Sequence, residues 1–267
     1  MRIALALLLV GGLWAADVED RSTESKTFAN VHLVILDNVN GSIEVTGSTG
    51  NDVRMEVAKH IKAESAERLE AARKEVKLDE QQSGDTLKLY VDGPFRGEHS
   101  RRHEGYEVTY DFKLRVPASA RVDLYTVNHG QVVVRGVTGD FDVRNVNGGI
   151  EMTDVGGSGK AHTVNGPVKV TFARNPAGAL SFETVNGAVD ATFRPGLSAD
   201  VHMQTMQGGM YTDFEVSGLP AEPVAAEKRN GKFVFRRGGA TGVRIGRGGA
   251  EVKMKTINGD IFVRERK

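Results

Sequence analysis

The chain has 267 residues, 32 of them glycine and none cysteine, and its 35 Lys+Arg balance 35 Asp+Glu. The missing cysteine excludes a disulfide framework, a thiolate metal site, a cysteine nucleophile and a lipidated N-terminal cysteine. Zero net charge argues against a nucleic-acid partner, which would need a strongly basic face. Glycine at about 12%, against about 7% in average usage, fits a chain of many tight turns.

Residues 1–16 read as a secretory signal. Met1-Arg2 is a short positive start, residues 3–16 are uncharged and mostly apolar, and Ala15-Ala16 precedes the polar Asp17-Val18-Glu19-Asp20. That is the order of a cleavable signal. A spanning helix needs about 20 apolar residues, so a retained anchor is the alternative. Export would place the chain in the periplasm, the cell envelope or outside a bacterium. The remainder is expected to comprise N-terminal strands with a helical insertion (17–116), continuous with a strand-repeat region (117–267).

Within 17–116, residues 63–75 read as a helix, with Ala66, Leu69, Ala72 and Val76 along one face. Glu64/Arg68 and Glu70/Lys74 have the favourable i,i+4 order. Residues 76–78 and 87–91 read as strands around Ser83-Gly84-Asp85. Residues 94–105 form a basic, Gly-containing loop, and 106–116 alternate as a strand that Pro117 ends.

One short pattern then dominates. It appears as Asn38-Val39-Asn40-Gly41, Thr126-Val127-Asn128-His129-Gly130, Asn145-Val146-Asn147-Gly148 and Thr163-Val164-Asn165-Gly166. It recurs as Thr184-Val185-Asn186-Gly187, Thr205-Met206-Gln207-Gly208 and Thr256-Ile257-Asn258-Gly259. From Asn128 to Gln207 the intervals are 19, 18, 21 and 21 residues. Apolar residues stand three and five positions after most corners, as in Ile150/Met152 and Val168/Val170, which is strand alternation. Residues 140–144, 179–183 and 200–204 alternate as a second strand per unit.

Asn and Gly tolerate the positive φ of a sharp corner. An Asn-Gly hairpin is one reading. The fixed period favours stacked coils, a β-solenoid or β-helix-like all-β fold, with a twisted sandwich of meanders as the alternative. Stacking would make Val127, Val146, Val164, Val185 and Met206 one core column. It would make Asn128, Asn147, Asn165, Asn186 and Gln207 an amide ladder. Glu151, Lys169 and Asp190 would line one outer face as a charge ladder. Residues 217–231 read as a loop and 232–267 as closing strands.

No catalytic, cofactor or metal residues are assigned. Gly156-Gly157-Ser158-Gly159-Lys160 lacks the spacing of a phosphate loop. His99 and His103 sit in a cation-rich loop that would oppose a metal. The threonines before the corners could form a flat ice-binding column, but one per coil is sparse, and hydrogen bonding at the corner is the simpler use. Asp140, Asp142, Glu151 and Asp190 with Arg144 could serve a polysaccharide-active enzyme if they converged in a groove. Residues 227–267 carry 12 basic and 4 acidic side chains. Arg236, Arg237, Arg244 and Arg247 are therefore candidate contacts to an anionic surface.

Val116-Pro117-Ala118, then Val122-Asp123-Leu124-Tyr125-Thr126-Val127-Asn128 and the repeated Thr-Val-Asn-Gly corners, resemble the bacterial putative-adhesin family of β-strand-repeat domains. The resemblance covers most of the chain after residue 16. It implies a β-solenoid, export or membrane tethering, and no established catalytic residues. His129 and Gln207 depart from the pattern, so those two corners are expected to be distorted. The function expected is a non-enzymatic, adhesin-like binding or structural role, with a cell-surface glycan, an envelope component or another protein as partner.

Overall fold

The computed structural model describes residues 17–96, 105–219, 226–229, 232–235 and 241–267. The signal-like segment 1–16, His99, His103, Arg236 and Arg237 lie outside them. The fold is nearly all β, in two large sheets packed face to face, with one α-helix among the described residues.

The strands run in chain order as β1 (Val18–Phe28), β2 (Leu33–Asp37), β3 (Ile43–Ser48), β4 (Val53–Ala63), β5 (Lys77–Ser83), β6 (Thr86–Asp92), β7 (Tyr106–Pro117) and β8 (Arg121–Tyr125). Next come β9 (Val132–Arg135), β10 (Phe141–Arg144), β11 (Ile150–Val155), β12 (Gly159–His162), β13 (Val168–Phe172), β14 (Leu180–Glu183), β15 (Val189–Phe193) and β16 (Ala199–Gln204). The last are β17 (Met210–Thr212), β18 (Val216–Gly218), β19 (Ala226–Arg229), β20 (Lys232–Phe235), β21 (Thr241–Ile245), β22 (Ala250–Lys255) and β23 (Ile261–Glu265). The first sheet has the order β1-β4-β7-β3-β9-β11-β13-β15-β23-β17. The second has the order β18-β21-β16-β22-β14-β12-β10-β8-β2-β6-β5. β19, inside the stretch expected to be a loop, pairs antiparallel with β20, the first of the expected closing strands.

Each Asn-Gly corner carries the chain from the second sheet to the first, and like strands pair in parallel. A hairpin would have paired them antiparallel within one unit. Inward residues alternate with outward ones, so Phe141 and Val143 are buried on β10, and Ile150 and Met152 on β11. The core continues through Phe172, Phe182 and Phe193, with Phe172 and Phe193 stacked at 5.0 Å.

The helix α1 (Ala66–Glu75) is shorter than expected, because β4 continues to Ala63. Ser65 caps it: the Arg68 amide donates to Ser65 Oγ at 3.2 Å. Leu69, Ala72 and Val76 are buried, whereas Ala66 is exposed. β5 and β6 form a hairpin closed by Gly84-Asp85, with Ser83 opposite Thr86.

Two details of the corners differ from expectation. First, the apolar residue before each Asn is not the core column. Val127, Val146, Val164 and Val185 are half-buried, and Met206 is 74% exposed. The buried column is the residue before it: Thr126, Asn145, Thr163, Thr184 and Thr256. The strand phase requires this, since Val122 and Leu124 point inward and period-two alternation carries Thr126 inward next. A column inside the core cannot meet ice.

Each buried hydroxyl is satisfied by the neighbouring coil. Thr126 Oγ1 donates to the Gly41 carbonyl at 2.9 Å, Thr163 to Gly148 at 2.7 Å, Thr184 to Gly166 at 2.8 Å and Thr256 to Gly187 at 2.9 Å. Asn145 does the same through Nδ2 to Gly130 O at 3.0 Å, and its Oδ1 accepts from the Val146 amide. Thr184→Val keeps the shape and leaves the Gly166 carbonyl without that donor. It is expected to cost about 1–2 kcal/mol in urea denaturation, and an unchanged midpoint would refute the role given to the hydroxyl.

Second, the last repeat is out of sequence order. β22 and β23 lie between β14/β15 and β16/β17. The amide ladder therefore runs Asn40, Asn128, Asn147, Asn165, Asn186, Asn258. Each Nδ2 donates to the Oδ1 of the preceding member at 3.3, 2.8, 2.8, 2.8 and 2.7 Å. Gln207 sits beyond Asn258, joined to it through a backbone bridge. His129 adopts a positive φ of 59°, the local distortion that its extra residue requires.

Candidate functional site

With the inner faces filled by core, chemistry must come from the outer faces. On the second sheet, Asp123 and Asp142 are register partners. Each is held by an arginine of its own strand, Arg121 at 3.0 Å and Arg144 at 2.7 Å. The hydrogen bonds that the guanidinium groups donate to these carboxylates raise the pKa of both arginines. At one end Arg96 donates to Asp37 Oδ1 at 2.8 Å and lies 4.3 Å over the Tyr90 ring.

The residues weighed for glycoside chemistry are divided between two surfaces. Asp142 and Arg144 are on β10 of the second sheet, while Glu151 (β11) and Asp190 (β15) project from the outer face of the first. Asp140 accepts the Ser158 amide at 2.8 Å, and Asp190 is gripped by Arg264 at 3.0 Å. No arrangement of an acid and a base across one bond is built from this set. Among the described residues, no group of three or more His, Asp or Glu is placed to hold a metal ion.

The Glu151, Lys169 and Asp190 positions do stack in register on the first sheet. Beyond Asp190 the column continues as Phe262 and Tyr211, whose rings stack at 5.1 Å. The neighbouring row on the same face differs in kind. Across six adjacent strands it reads Thr27, Arg54, Arg115, Thr46, Arg135, Thr153. The bulge between Met152 and Val155, where Asp154 takes a φ of 52°, then interrupts it.

A shallow groove of about 570 Å³ lies on this part of the sheet, lined among others by Glu44, Thr46, Arg54, Glu56, Lys113 and Arg115. Arg135 pairs with Glu44 at 2.6 Å, and Lys113 stands 3.9 Å from Glu56. Arg54 and Arg115 are exposed and directly opposed on β4 and β7, and their side chains have neither a hydrogen bond nor an ion pair with any described residue.

The C-terminal cations are differently placed. Arg244 forms a two-pronged bond to Asp200 at 2.7 and 2.9 Å, which lowers the Asp200 pKa below its usual value. Arg247 is exposed. Sequence reasoning missed the Arg54–Arg115 pair because the two stand 61 positions apart. Their shared row follows from strand register alone. The corner residues form the Asn ladder and the backbone stack beneath it: Asn40/Gly41, Asn128/Gly130, Asn147/Gly148, Asn165/Gly166, Asn186/Gly187, Asn258/Gly259 and Gln207/Gly208.

No family model and no curated protein matches the chain. Among solved structures it is similar to a "putative cell adhesion protein" of Clostridium sporogenes, at 8% identity and a TM-score of 0.42, over 92% of this chain and 100% of that one. It is similar to a "putative adhesin" of Bacteroides fragilis at 11% identity and a TM-score of 0.42, over 92% and 97%. A "putative lipid binding protein" of Parabacteroides distasonis aligns at 8% identity and a TM-score of 0.28, over 93% and 97%.

Proposed function

We propose that the chain is a non-enzymatic, exported protein of a bacterial cell envelope, a β-solenoid with an adhesin-like binding or structural role. The observation that carries this reading is the separation of the candidate acids and bases. Asp142 and Arg144 face away from Glu151 and Asp190, and most of the set is committed to local pairs. What the outer faces offer is long rows of in-register side chains on a rigid scaffold, suited to an extended partner. The parallel ladders and the corner stack support the solenoid description. The apolar segment before Asp17 supports export.

The test is cell fractionation together with glycan-array binding by the purified protein. Recovery in the envelope or periplasm with retention of a glycan or envelope component is the expected result. Recovery in the cytoplasm, or turnover of any glycan in a hydrolysis panel, would overturn the reading. Binding through the basic C-terminal segment is weakened as an alternative by the Arg244–Asp200 bond, which leaves Arg247 as the cation without a carboxylate among the described members of that set.

A further inference from the structure

We infer that the Thr–Arg row on the first sheet is a binding track for an extended acidic polysaccharide, with Arg54 and Arg115 as its principal anion contacts. The inference rests on the binding role proposed above and names its ligand class.

Four observations carry it. The row crosses six strands without a carboxylate: Thr27, Arg54, Arg115, Thr46, Arg135, Thr153. At about 4.8 Å per strand it extends about 24 Å, the reach of several sugar rings and far more than one phosphate needs. Arg54 and Arg115 stand directly opposite each other, an arrangement that disfavours the pair in the free protein. Neither has a partner among the described residues, whereas Arg121, Arg135, Arg144, Arg244 and Arg264 each have a carboxylate.

An anion seated between the two guanidiniums would remove the repulsion and accept two-pronged hydrogen bonds from both. The hydroxyls of Thr46, between Arg115 and Arg135, and of Thr27 and Thr153 at the ends of the row donate and accept, as sugar hydroxyls require. The adjacent row holds Glu56, Glu44 and Glu151, alternating in part with Lys113. Its carboxylates would confine an anionic chain to the Thr–Arg row.

Calorimetric titration of the purified protein tests this with heparin, polygalacturonate, neutral dextran and phosphatidylglycerol vesicles as probes. The wild type is expected to bind one or both acidic polymers in a salt-sensitive manner and to ignore dextran. R54Q/R115Q is expected to weaken that binding about tenfold or more. R244Q/R247Q is expected to change it less than about twofold.

R115E is a second variant that separates binding from folding. It places a carboxylate opposite Arg54, so the melting temperature should hold or rise while acidic-polymer binding falls. Retained affinity in R54Q/R115Q or R115E, an equal loss in R244Q/R247Q, or vesicle binding without polymer binding would overturn the track. Capture of a neutral glycan with no binding of either acidic polymer would also overturn it, and would leave the general binding role standing. Glycan turnover would instead remove that role.

Discussion

Removal of residues 250–267 is expected to abolish the cooperative unfolding transition of the C-terminal part of the stack. These residues supply β22 and β23, which lie inside the sheets and not at their ends. β22 is bonded to β14 on one side and β16 on the other, and β23 to β15 and β17. Val252, Met254, Ile261 and Val263 are each at most 1% exposed. Burying each is worth about 1.5–3 kcal/mol, so the four approach the whole stability of a typical domain, about 5–15 kcal/mol. Extended-chain areas make that sum an upper bound, but the lost backbone ladders act in the same direction. The coil from Ala199 to Thr212 would then face a gap two strand spacings wide, about 9.6 Å. Urea denaturation followed by circular dichroism, with limited proteolysis across that coil, provides the measurement. A truncated protein that unfolds at the full-length midpoint and resists cleavage would show that β16 and β17 can close directly on β14 and β15.

That alternative closure is also the order the repeat spacing suggests, and it shows how far the sequence can be read. Thr163-Val164-Asn165-Gly166 announces a corner, and the alternation of Val168 and Val170 after it gives the inward face. The motif marks Asn258 as another corner, but the expected ladder passes from Asn186 to Gln207, whereas in the structure Asn258 Nδ2 donates to Asn186 Oδ1 at 2.7 Å. The spatial order of members is another matter. The 51-residue interval from Gln207 to Asn258 gives no indication that the later copy inserts before the earlier one.

The inward threonines were missed for a different reason. Their polarity points outward while strand phase points inward, and phase wins because a buried hydroxyl needs only one acceptor, which the Gly carbonyl of the next coil supplies. β1 was hidden too. Val18–Phe28 is polar and mostly exposed, and its strand identity comes from full-length pairing with β4, which no local pattern encodes. The outer Thr–Arg row is legible in neither composition nor spacing, since it is assembled from strands as distant as Thr27 and Thr153.

Gly187→Ala is expected to destabilise the fold by about 3 kcal/mol or more, the upper range for overpacking. A methyl at this corner would lie 2.2 Å from the Gly166 carbonyl oxygen, 2.6 Å from its carbon and 2.9 Å from Pro167 N. All three atoms are backbone, so no side chain can rotate out of the way. The same contact repeats along the stack. A methyl on Gly148 would stand 2.0 Å from Gly130 O, and one on Gly259 would stand 2.0 Å from Gly187 O. Relief requires the coils to move apart. That would stretch the Asn186–Asn165 amide bond and the Thr184–Gly166 hydroxyl bond, both 2.8 Å. The cost therefore combines steric overlap with two weakened hydrogen bonds in one layer. Gly218→Ala is the matched control, because a methyl there meets nothing within 4 Å. Its effect should stay within about 0.5 kcal/mol. At about 2–4 °C per kcal/mol, Gly187→Ala should lower the melting temperature by about 6–12 °C. Equal melting temperatures for the two variants would mean that the corners are loose enough to admit a side chain, and the glycine at each of them would need another explanation.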